Sequence, residues 1–172
     1  SQRADSLMKT NPRMAAKAFR QAADGYWRMA LFKEASECLK KAGEEAQMDL
    51  AMLHWGQANF HPEDVRAELD AANEAVSKVL VRLDRKINSV DVAVAKRLQG
   101  NVHVRLALLM KTATGETDQV RLREGERFLR EAMDSVDRTD EPQLWAATLH
   151  DLAVVLLEQS VTDCRPINKK KE

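Results

Sequence analysis

Four prolines and six glycines among 172 residues are too few for a protein built on tight turns, where strands reverse at about every eight to twelve residues. The valine-rich stretch VDVAVAK, residues 90–96, alternates briefly but runs on into a 3.6-residue period, so no strand is predicted. Cysteine is nearly absent. Cys38 and Cys164 stand far apart, with no CxxC pair and no metal-ligand spacing. That excludes a disulfide framework and reads as two free thiols in a reducing, cytoplasmic compartment. No apolar run reaches the roughly 18 residues of a membrane-spanning helix. The opening SQRADSLMKT lacks the apolar core of a signal peptide. The chain opens without a methionine, which reads as a piece of a longer protein. An excess of either charge is missing too: 27 basic residues balance 27 acidic ones. A nucleic-acid binder ordinarily carries a basic surplus, so that class is set aside, with a local basic face left open.

What is present is helical patterning, with 44% hydrophobic and 31% charged residues. Asn11 and Pro12 make a good helix start, a capping side chain followed by a residue tolerated at the first helical position. Phe19, Ala22, Ala23 and Tyr26 then share one helix face. A turn is placed around Arg28–Phe32, although no strong breaker stands there. A second helix carries Ala35, Leu39 and Ala42 and runs on through Met48, Leu50 and Leu53 to Trp55. After a break at residues 56–61, Pro62 opens a third helix with Glu63 and Asp64 in its first turn. There Val65, Leu69, Ala72, Val76, Val79 and Leu83 form a heptad seam. The seam can pair within the chain or with a second copy. Asn88 and Ser89 offer a cap for a long helix over 90–113, with Val94, Leu98, Val102, Leu106 and Leu109 along it. TGETD is a loop, and further helices are predicted over 119–136 and 142–159.

The segments rhyme. Phe19, Ala22, Ala23 and Tyr26 have counterparts at the same offsets in Leu106, Leu109, Met110 and Ala113, and again in Leu149, Leu152, Ala153 and Leu156. Ala35, Leu39 and Ala42 match Gly125, Leu129 and Ala132. Small residues let two helices approach, and large neighbours fill the gaps they leave. Residues 16–49, with Phe19, Ala22-Ala23, Tyr26, Ala35, Leu39 and Ala42, resemble a tetratricopeptide repeat, including the nine-residue step from Tyr26 to Ala35. Residues 103–139 fit less closely because the step from Ala113 to Gly125 is twelve residues. Residues 146–159 look like the first helix of a further repeat or a cap. Residues 50–102 depart from the pattern and look more like the irregular helix pairs in relatives of that family. The resemblance implies an all-α array of about six helices, antiparallel hairpins stacked side by side. It would occupy residues 11–160, between a flexible lead-in (1–10) and a flexible basic tail (161–172).

Catalytic constellations are missing. His54, His61, His103 and His150 include no pair four residues apart, and the phosphate-loop, dinucleotide and nucleophile-elbow patterns are absent. Cys38 sits beside a core position. His150 and Asp151 are helix neighbours pointing about 100° apart. The chain is therefore read as a non-enzyme with no cofactor and no metal. In proteins of the resembled family, the first helix of each hairpin lines a concave groove, which brings Lys17, Arg20, Asp24, Trp27 and Arg28 into view. Of these, Lys17, Arg20, Trp27 and Arg28 are the candidate partner-binding residues, a cationic and aromatic strip suited to an acidic or aromatic peptide. The plainer alternative is an ordinary solvated face with one half-buried Trp. Some family members clamp a terminal carboxylate. Here Asp24 stands in place of the family's Asn, and Val104, Ala107 and Val154 take the place of basic partners, which argues against a clamp. Trp55 and Trp145 are read as packing residues, and Met8, Met14, Met29, Met48 and Met52 as core filling. The expected function is a protein-interaction or scaffold module. The alternatives are a homodimer through Val65, Leu69, Val76 and Leu83, or a regulatory domain of a larger enzyme.

Overall fold

In the computed structural model, which describes residues 11–60, 63–83 and 89–163, the first helix begins where the sequence places it. The Asn11 side chain accepts a hydrogen bond from the Met14 amide at 3.2 Å, and Pro12 occupies the first helical position. Helix α1 runs Pro12–Arg28 and α2 runs Phe32–Ala42. A single turn of 3₁₀ helix, Gly43–Ala46, leads into α3, Gln47–Phe60, and then α4, Val65–Arg82. Beyond these lie α5, Ser89–Thr114; α6, Gln119–Met133; and α7, Pro142–Asp163. Every regular element among the described residues is helical, so the fold class is all-α. The lead-in 1–10 and residues 164–172 of the tail lie outside the described residues, whereas residues 161–163 continue α7.

Two junctions differ from expectation. The second predicted helix is two helices, so about six become seven. Gly43, at φ 74° and ψ −144°, holds a backbone conformation that only glycine adopts without strain, and it ends α2. Helix α4 starts at Val65, so Glu63 and Asp64 precede it. Asp64 is its N-cap residue but makes no side-chain capping bond, and Pro62 is outside the described residues. Between α1 and α2 the chain turns where the sequence places a turn, passing through Ala30 at φ 57°, a left-handed conformation that costs an L-residue roughly 1–2 kcal/mol. The Leu31 amide returns to the Tyr26 carbonyl at 2.9 Å, closing the end of α1.

The chain divides into two compact units, residues 1–83 and 84–172. In the first, α1 packs on α2, α2 on α3, and α3 on α4. Its core takes in Ala15, Phe19, Ala23, Ala35, Leu39, Ala51 and Leu53. The heptad seam belongs to this core. Val65, Leu69, Ala72 and Val76 are buried in the folded chain, so they are not free to form a homodimer, and Leu83 is only partly exposed. Met14, Met29 and Met52 are exposed rather than core-filling, and Met8 is outside the described residues. Cys38 is buried as a packing residue.

The second unit is held by α5 on α6 and α6 on α7, with lighter contact between α5 and α7. Val104, Ala107, Leu122, Leu129, Leu152 and Val155 form its core. Helices α5 and α6 approach most closely at two glycines. A Cβ on Gly100 would lie 2.8 Å from Leu129 Cγ, and a Cβ on Gly125 would lie 2.6 Å from Val104 Cγ2 and 3.0 Å from the Gly100 carbonyl oxygen. Lys96 on α5, buried, pairs with Glu131 on α6, which Arg127 also reaches at 2.8 Å.

His103 is buried in the same unit beside the Phe128 ring. Its Nδ1 is 3.1 Å from Glu124 Oε2 but is not aligned for a hydrogen bond. Burial pushes its pKa below the usual histidine value of 6.5. Arg121 and Arg127 act in the same direction, against Glu124 and Asp118. A depressed folded pKa means the unfolded chain binds the proton more readily. The contribution to stability is therefore complete above the unfolded value and shrinks as pH falls below it toward the folded value. The urea midpoint should fall between pH 7 and roughly pH 5.5, and His103→Gln should flatten that slope. An unchanged slope in the variant would assign the loss to other groups.

Candidate functional site

Helices α1 and α3 both rest against α2 or the turn that follows it, and the space between them is a groove of about 570 Å³. Ala23, Ala35, Leu39 and Leu53 supply apolar lining. Trp27 and Met52 stand along it, and Lys17, Arg20, Gln21, Asp24 and Asp49 complete its rim. The geometry follows from the helix period. Lys17, Arg20, Asp24 and Trp27 fall at steps of three, four and three, so they form one stripe about 15 Å long on α1.

The two walls are tied together. Arg20 Nε donates to Asp49 Oδ2 at 2.5 Å from α1 to α3. The Trp27 ring reaches Gly56 on α3 so closely that a Cβ there would sit 2.6 Å from the ring. Trp27 also meets Phe32 edge-on at 5.2 Å between centroids, and Phe32 stacks against Phe60 at 6.5 Å. The indole is 38% exposed, anchored by these contacts yet presenting part of its surface.

Three of the four sequence candidates, Lys17, Arg20 and Trp27, therefore come together in one groove. Arg28 is not among the residues that line it, although the Arg28 guanidinium pairs at 2.9 Å with Asp24 on its rim. With Arg20 held by Asp49 and Asp24 by Arg28, Lys17 is the groove cation without an ion-pair partner among the described residues. The opposite wall, with Asp49, Met52 and Leu53, was not foreseen. Its signal was Gly43, which separates α3 from α2 and lets it face α1. Of the residues weighed for a carboxylate clamp, Val104 and Ala107 lie in the core of the second unit, and Val154 is on α7, so none joins this groove. Trp55 is partly buried on α3, and Trp145 lies under the Arg138 guanidinium at 5.1 Å.

Other polar clusters are structural ties. His54 Nδ1 lies 2.6 Å from Glu68 Oε2, joining α3 to α4. Among the described residues, no group of three or more His, Cys, Asp and Glu side chains is gathered to hold a metal ion, and no helix is long and apolar enough to cross a membrane. Compared with known protein families and curated protein sequences, the chain matches no family model and no curated protein.

Proposed function

We propose that this chain is a non-catalytic protein-interaction module of the cytoplasm, built on the tetratricopeptide-repeat plan, that holds a peptide segment in the groove between α1 and α3. The observation that carries this reading is the groove itself, with an apolar lining, the partly exposed Trp27 at one end and, at the other, a lysine with no ion-pair partner among the described residues. The apolar lining and Trp27 suit a bulky side chain, because a partly exposed aromatic anchor loses little rotamer freedom on binding. Lys17 suits a carboxylate on the same segment. The bound peptide is then an acidic one with an apolar anchor about 10–15 Å from its acid group.

Selection from a displayed peptide library, followed by titration of the selected peptides, tests this. Trp27→Ala should weaken binding by about ten-fold or more. Lys17→Glu should weaken acidic peptides and spare neutral ones. Val81→Ala, at an exposed residue of α4 outside the groove, should leave affinity unchanged. Selected peptides that bind the Trp27 variant as well as the parent would remove the groove from the function.

A further inference from the structure

Helix α7 carries its charges on the wrong side for a surface helix. The Asp151 carboxylate faces α5, accepting from Arg97 Nε at 2.7 Å and from Asn101 Nδ2 at 2.8 Å. Glu158 also faces α5, pairing with Lys111 at 2.6 Å. Gln159 donates to Glu126 on α6 at 3.0 Å. The opposite side, from residue 146 to residue 161, holds no Asp, Glu, Lys or Arg, and exposed His150 is its one titratable side chain. It presents Leu149, Leu156 and Leu157, 41%, 40% and 65% exposed, flanked by exposed Val154 and Val161. A helix on the surface of a folded chain ordinarily keeps its outward face polar, whereas α7 is apolar outward as well as inward, where Leu152 and Val155 join the core.

The order of residues on this outer face is specific. Ala146, Leu149, Ala153, Leu156 and Ser160 are spaced three, four, three and four, a heptad seam in which small residues alternate with leucines. All five are exposed. Laid antiparallel against itself and centred near residue 151, the seam sets Leu149 opposite Ala153 and Ala146 opposite Leu156. Each leucine then meets a small residue of the other strand, the knob-and-hole match that a close helix pair requires. With no Asp, Glu, Lys or Arg on the face, two identical copies meet there without carboxylate or ammonium repulsion, and the same patch serves both subunits as a two-fold interface demands.

We infer that α7 is a self-association surface, on which a second copy of this chain docks antiparallel through Leu149, Ala153 and Leu156. One helix pair buries less than the roughly 1,200 Å² at which stable complexes begin, so the dimer is weak, with a dissociation constant on the order of 10–100 µM. This surface is separate from the peptide groove and does not depend on it.

Sedimentation equilibrium of the full chain from about 1 to 300 µM, which brackets that constant, provides the test. The expected result is a monomer–dimer equilibrium that Leu156→Glu weakens by about ten-fold or more, a change of one leucine contact at a helix interface. Ala153→Leu, which fills the gap without adding charge, should weaken it as well. Both positions are exposed in the chain, so both variants should keep the parent's circular dichroism. Phe60→Glu, on an exposed apolar residue of the first unit, should leave the dimer intact. In a background lacking Cys38 and Cys164, oxidation should cross-link Leu149→Cys chains to Ala153→Cys chains, and should not cross-link Leu149→Cys chains to one another. A monomer throughout the range overturns the inference. So does a dimer that Leu156→Glu leaves unchanged, or one that cross-links Leu149→Cys to itself.

Discussion

Gly125→Val is expected to lower stability by about 3 kcal/mol, the upper end of overpacking costs, and to do so although valine is the better helix former. The reason is the crossing of α5 and α6. A single added carbon at Gly125 already lies 2.6 Å from Val104 Cγ2 and 3.0 Å from the Gly100 carbonyl oxygen. Val104 is β-branched and stiff at χ1, so it cannot swing aside, and the carbonyl is fixed in the helix. The two helices must separate, and Leu122 and Leu129, both fully buried, lose their close contacts with α5. Gly125→Ala should show the same effect in smaller measure, because the gain in helix propensity of about 1 kcal/mol offsets part of the clash. Urea denaturation followed by circular dichroism measures both. A Gly125→Val protein as stable as the parent would mean that α5 and α6 do not meet at these glycines.

Phe19→Ala should have an effect of similar or greater size, about 3–5 kcal/mol. Phe19 is 1% exposed, the bulkiest of the fully buried side chains. It sits on α1 among alanines, with the Lys41 ammonium 5.8 Å from its ring centre. Small neighbours at Ala15, Ala16 and Ala23 cannot move in to fill the space that the ring leaves, so the cavity term adds to the loss of burial. Phe19→Leu, which keeps most of the volume, should cost far less. The contrast between the two variants, read from denaturation midpoints, distinguishes a ring that fills a cavity from one that merely covers a surface. Equal midpoints for both would place Phe19 outside the core.

Much of this architecture is legible in the sequence because local chemistry and packing agree. Asn11 with Pro12 starts α1, and Asp118 caps α6 through the Arg121 amide at 3.1 Å. The small residues aligned at Ala35 and Gly125 both lie buried at helix contacts. The split between α2 and α3 was hidden for a physical reason. Leu39, Ala42, Ala46, Leu50 and Leu53 keep helical spacing across the 3₁₀ turn and are all buried, so the apolar phase runs through the break as if no break were there. Gly43 alone marks it. The turn between α1 and α2 lies where the sequence places one, but its form is not legible there, since only Gly and occasionally Asn or Asp visit the left-handed conformation routinely and here Ala30 holds it.

The groove was half legible for the same reason. The stripe Lys17, Arg20 and Trp27 could be read from α1 alone, because helical spacing places it. Asp49 and Met52 face that stripe only because α3 is separate from α2, and the unbroken apolar phase of the sequence conceals that separation. Arg28 comes into view only through the groove that the resemblance implies for a first helix, and the groove as folded ends short of it, at its partner Asp24. The methionines were misjudged because hydrophobicity favours burial without dictating it. In this chain alanines and leucines fill the contacts, and Met14, Met29 and Met52 are left outside.

The four residues from Gly43 to Ala46 also act as a phase setting. A helix turns by about 100° and rises 1.5 Å with each residue. Removing one residue from this turn would rotate α3 against α1 by more than a quarter of a revolution, taking Asp49 away from Arg20 and Gly56 out from beneath the Trp27 ring. The side chains on each wall would be unchanged in kind, yet the recess between them would present a different set. The length of this turn therefore governs which face of α3 the groove displays, and a change there would alter binding preference without altering any groove residue.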